Sequence, residues 1–144
     1  MKMNRLPFLL VLLAAFASGL SCQKKAEVKP VDFVTQIKPL LQARCINCHH
    51  SGALFGDLSF ESSAIAMQPR KKGPIITPGD PAASHFYIVL TLPDPDKKAM
   101  PPTGHRIPNP EVELVKRWIE EGAKWPDGPD GAIKPAVTQQ PGKA

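Results

Sequence analysis

The chain has 144 residues, room for one small domain. Aromatic residues make up only 6% of it and seventeen prolines interrupt it, so the core calls for added support from disulfides, a metal or a large apolar cofactor. The formal charge of +5 does not signal nucleic-acid binding: Lys2 and Arg5 belong to an N-terminal leader, and no helix dense in Lys and Arg with interleaved aromatics occurs.

Met1 to Arg5 carry positive charge, and Leu6 to Leu20 form an apolar run ending in small residues. The run is too short and too alanine-rich for a comfortable membrane span, and it reads as a signal peptide over residues 1–21. The protein is therefore expected to be exported. "SGLSC" resembles the signal of bacterial lipoproteins, in which Cys22 would become the acylated N-terminus, although Gly19 stands where a leucine-like residue is expected. Cleavage after Ala17 is the alternative. Lipid at Cys22 also accounts for the odd cysteine of three. The expected location is the periplasmic side of a membrane, with polar residues 22–30 as a tether to the domain.

From Val31 to Cys45 the apolar positions Phe33, Ile37, Leu40 and Leu41 recur at helical intervals, with Pro39 set to kink the helix or open a second piece. Ser51 to Gly79 is glycine-rich and irregular, with one short helix expected around Glu61 to Met67. Asp80 and Pro81 form a helix entry, Phe86 to Leu90 supply its apolar run, and Pro93 stops it. Asp94 to Pro110 holds five prolines and reads as an extended loop. Asn109 as N-cap and Pro110 in the first turn start a last helix, with Leu114, Val115, Trp118 and Ile119 as its buried stripe and Gly122 as terminator. Trp118 is expected to pack near Ile37 and Leu41. The folded unit spans residues 31–128, and 129–144 reads as a disordered tail.

"CINCH", Cys45 to His49, carries the chemistry. Cys-x-x-Cys-His is the attachment signature of c-type haem: two thiols three apart add to the two vinyl groups of one porphyrin, and the next residue presents an imidazole to the iron. A structural zinc site would need a second close ligand pair, and His50, His85 and His105 are scattered. A redox pair asks for a βαβ setting, and a disulfide across one helical turn constrains almost nothing. Either reading leaves His49 unexplained. His50 reads as a surface or propionate-side residue. Arg70 to Lys72 and the Lys97–Lys98 pair read as solvated faces, with docking of an acidic redox partner as the minor alternative.

Three stretches, "VDFVTQIKPLLQARCINCHH", "ITPGDPAASHFYIVLTLPDPDKKAMPP" and "EVELVKRWIEEGAKWPDG", together resemble the small class I cytochromes c, and more closely the planctomycete-type cytochrome c domain. The resemblance implies an all-α, cytochrome c-like helical fold with long loops around one covalent haem c. It implies haem roles for Cys45, Cys48, His49 and Met100, with His49 and Met100 on the iron. Among the residues themselves the distal candidates are Met67, Met100, His85 and His105. Met100 is the best placed, because Pro101 and Pro102 hold the following backbone extended.

The expected function is single-electron transfer by an exported monohaem cytochrome, between redox partner proteins in the periplasm or membrane, with no catalytic residues. The alternatives are a peroxidase-like haem enzyme, in which His85 or His105 would work above an open iron, and a haem-based redox-sensing module.

Overall fold

Asp32 opens the first helical segment. Its carboxylate accepts hydrogen bonds from the Thr35 amide and hydroxyl at 2.8 and 2.7 Å, and Gln36 Oε1 accepts from the Asp32 amide at 2.9 Å. This reciprocal pairing satisfies amides that a helix start leaves free. The computed structural model describes residues 29–71, 73–102 and 104–135. The leader, Cys22, most of the tether and residues 136–144 lie outside them. No helix among the described residues is long and apolar enough to cross a membrane.

Phe33–Ile37 winds as a π-helix, with the Lys38 amide donating to the Phe33 carbonyl, and α1 (Lys38–Arg44) continues it. Pro39 stands in the first turn of α1. It brings no amide, and its ring crowds the carbonyl four residues back, so the helix is wide before Pro39 and regular after it. The expected division is present, one residue earlier than Pro39.

Two strands, β1 (His49–His50) and β2 (Ala53–Leu54), pair antiparallel with His49 opposite Leu54. This ladder departs from a purely α-helical fold, but at two residues per strand it is minor beside the helices. A 3₁₀ turn, Phe55–Asp57, and the short α2 (Ser63–Ala66) follow. Then come α3 (His85–Thr91), α4 (Asn109–Glu120) and a single turn, α5 (Gly128–Gly131).

Two helix starts differ from the sequence expectation. Asp80 caps a turn, accepting from the Ala83 amide at 3.0 Å, while α3 begins only at His85. The reason is Ser84. Its fully buried hydroxyl donates to the Asp80 carbonyl at 2.8 Å and accepts from the Thr77 amide at 2.8 Å, tying the loop to the base of α3. Asn109 is the first residue of α4 and makes no side-chain cap. Pro108 precedes it in an extended conformation.

The buried stripe of α4 is Val112, Val115, Trp118 and Ile119, with Leu114 at its half-buried edge. The i, i+3, i+6, i+7 spacing from Val112 onward defines this face, and Leu114 falls beside it. Gly122 ends the helix as expected: at φ +97° its amide donates to Ile119, and the Ala123 amide reaches back to Trp118 at 2.8 Å. That pattern needs a left-handed residue, which glycine adopts without steric penalty.

Trp118 is 1% exposed and sits 6.0 Å from the Phe33 ring, which stacks on Trp125 at 4.6 Å. It shares one core with Ile37 and Leu41. Both indole N–H groups are satisfied by carbonyls, Trp118 by Lys124 at 3.0 Å and Trp125 by Gly131 at 2.8 Å. The second bond draws in residues placed beyond the expected boundary at 128. Ile133 is 2% exposed and its amide donates to the Glu61 carbonyl at 2.9 Å. The packed chain therefore extends past 128, because the Trp125 indole and the Glu61 carbonyl find their partners in this segment.

Candidate haem-binding site

Helix α1 delivers the Cys-x-x-Cys-His run on a single tight turn. The Cys45 amide donates to Leu41 at 3.0 Å, and the Cys48 and His49 amides both return to the Cys45 carbonyl, at 3.2 and 3.1 Å. Both cysteines are free thiols. Cys45 is buried at 8% exposure and Cys48 is exposed. Burial, helped by the neighbouring Cys48, pushes the Cys45 thiol up to about 12, so it stays neutral and packs as a small apolar group.

His49 is half-buried, its ring edge-on to Phe60 at 5.8 Å. Its Nδ1 lies 2.9 Å from the Phe55 carbonyl. A carbonyl only accepts, so Nδ1 must carry the proton and Nε2 keeps a free lone pair. Burial lowers the pKa of the ring and the Arg70 charge adds to that, against the opposing effect of the Phe55 hydrogen bond. The neutral ring held by a backbone carbonyl is the ligating form.

The loop that supplies this carbonyl is braced from two sides. Arg70 donates to the Gly56 carbonyl, so it is half-buried and engaged, unlike the exposed Lys71 beside it. Glu61 accepts from the Ser51 amide at 2.7 Å, the Ser51 hydroxyl at 3.1 Å and the Ser59 hydroxyl at 2.8 Å. Leu54 and Phe55 are 51% and 65% exposed, an unusual placement for large apolar side chains flanking a candidate ligand. His50 turns its Nδ1 to its own loop, accepting from the Gly52 amide at 3.1 Å.

Two thiols, an imidazole with Nε2 free and uncovered apolar side chains suit a covalently attached haem. Cys45 and Cys48 would hold the ring, His49 the iron, and Leu54 and Phe55 would offer it apolar surface. Among the described residues no three His, Cys, Asp or Glu side chains are grouped as a chelating metal site.

Met100 is half-buried and packs against the core that also contains Cys45. Its amide donates to the Val89 carbonyl at 2.9 Å. His85 and His105 are exposed, and Met67 closes α2 against the core. Phe55, Glu61 and Arg106 join the site without any motif that marks them in the sequence. An arginine inside a proline-rich loop was the only local signal for the last, whereas Phe55 acts through a carbonyl that every residue has.

In comparisons with known proteins, no curated protein and no solved structure matches the chain. Residues 45–104 match the family described as Planctomycete cytochrome C. The matched stretch opens on Cys45 and contains His49 and Met100. A cytochrome c domain implies covalently bound haem c and, at that level, suggests electron transfer rather than catalysis. Over residues 45–104, the chain is thus similar to the planctomycete cytochrome c family.

Proposed function

We propose that this protein is an exported monohaem c-type cytochrome that passes single electrons between redox partner proteins at the periplasmic side of a membrane, anchored there by lipid on Cys22. The observation that carries the haem role is the His49–Phe55 hydrogen bond, which leaves Nε2 of the residue that follows two free thiols without a proton. The bound haem supplies a ferric–ferrous couple. The chain's own task is to fix the ring through Cys45 and Cys48, hold His49 in one tautomer and present Met100 as the second iron ligand. Met–His ligation raises the potential relative to His–His and suits a carrier late in an electron chain. A peroxidase-like role is less well supported, since His85 and His105 are both exposed on the surface.

The visible spectrum tests the proposal. Six-coordinate, low-spin iron that ignores peroxide is expected. High-spin iron that turns over peroxide would overturn the carrier reading in favour of a haem enzyme.

A further inference from the structure

We propose that Arg106 is a positioning residue for the distal ligand, a clamp that fixes the backbone of Met100 against the end of α3. The proposal rests on the reading of Met100 as iron ligand. The Arg106 guanidinium donates through Nη2 to the carbonyls of Leu90 and Leu92, at 2.7 and 2.8 Å. Through Nη1 it donates to the Met100 carbonyl at 2.9 Å. Its Nε lies 3.3 Å from the Asp94 carboxylate. The Arg106 side chain is only 23% exposed, which shelters its bonds to the carbonyls, while the Asp94 side chain is 66% exposed and its ion pair faces water.

The need for such a clamp follows from the sequence. Helix α3 ends at Thr91, with Pro93 two residues beyond, and its last carbonyls have no helical amides to accept from. A planar fork of donors reaches several carbonyls at once, which a single ammonium does not. The same fork extends to Met100, whose amide is already committed to Val89 at 2.9 Å. Both polar groups of the Met100 backbone are thus tied to α3 or to its cap. The thioether starts from a fixed backbone, and any displacement of that backbone breaks a charge-assisted hydrogen bond.

The experiment is a double-mutant cycle read by imidazole titration of the ferric holoprotein. In the Met100 background, Arg106→Met should raise imidazole affinity roughly tenfold or more, the scale of one lost charge-assisted hydrogen bond. In the Met100→Ala background the same change should have no effect, since no thioether remains to be held. Arg106→Lys should show most of the loss despite keeping the charge. An equal effect in both backgrounds, or none in the first, overturns the clamp. If Met100→Ala itself leaves the wild-type imidazole affinity and the sulfur-to-iron band intact, the ligand reading has failed instead. Should Arg106→Met not fold, Asp94→Asn and Arg106→Lys carry the same cycle.

Discussion

The carbonyl oxygen of Phe55 lies 2.9 Å from Nδ1 of His49, six residues earlier in the chain. A backbone group therefore selects the tautomer of the His49 imidazole, and the contact needs no particular side chain at Phe55. His49→Ala should lose the proximal iron bond. Cys45→Ala and Cys48→Ala should each abolish or cripple maturation of the holoprotein. Acid–organic extraction of the wild type should leave red colour on the polypeptide, and free extraction of haem from correctly exported material would defeat the covalent assignment.

Met100→Ala should remove the weak sulfur-to-iron charge-transfer band and lower the reduction potential. His105→Ala should do neither, because His105 is exposed. Optical spectra and potentiometry of both variants decide between them. A spin-state change in His105→Ala with none in Met100→Ala would reverse the ligand assignment.

The Phe33–Trp118–Trp125 cluster carries much of the packing between the two ends of the domain. Trp118→Ala should destabilise the protein by about 3–5 kcal/mol, the usual cost of emptying a buried aromatic site. Trp125→Phe leaves the Gly131 carbonyl without its indole donor, a loss of about 1–3 kcal/mol. Urea denaturation of the two variants measures both. A Trp125→Phe variant as stable as the wild type would mean that the turn at Gly131 contributes little.

Glu61 makes stability depend on acid. Burial acts to raise its pKa, but hydrogen bonds from Ser59 and Ser51 outweigh that and hold it below the ordinary value. A carboxyl lowered on folding contributes stability that is complete above its ordinary, unfolded pKa and is lost as pH falls through the lower, folded value. Glu61→Gln should be less stable than the wild type at neutral pH and should flatten the acid side of the stability profile. Urea midpoints collected from neutral to acid pH test this. An unchanged acid slope would show that Glu61 is not the group responsible.

Cys22 lies outside the described residues, and its modification is tested chemically. Mass spectrometry of membrane-extracted protein should find an acylated N-terminus at Cys22. An unmodified N-terminus at Ser18 would rule lipid out and leave a soluble periplasmic carrier. Several chains are needed for firm anchoring, since one myristoyl-sized chain binds only marginally.

The parts of this fold visible in the sequence are those with local causes. The haem turn follows from the spacing of Cys45, Cys48 and His49. The end of α4 follows from Gly122, and the division of the first helix from Pro39. What escaped notice depends on partners distant in the chain. Ser84 delays α3 because its hydroxyl finds Thr77 and Asp80. Ile133 is held by Glu61, 72 residues earlier, so the boundary drawn from composition at 128 came too early. Arg106 gathers carbonyls from the end of α3 and from Met100, and nothing in its own neighbours announces them.

The Ile133–Glu61 contact has a further consequence. Lys38 Nζ donates to the carbonyls of Pro129 and Asp130 at 3.0 and 2.9 Å, so the start of α1 is tied to the same segment. The Glu61 carboxylate meanwhile holds the strand turn that follows His49. Early helix, histidine loop and closing segment are therefore linked through shared hydrogen bonds, and they are expected to open together. Amide exchange should report a shared opening free energy for Ser51, Phe60 and Ile133, and a protease that trims the closing segment should loosen the histidine loop without cutting near it.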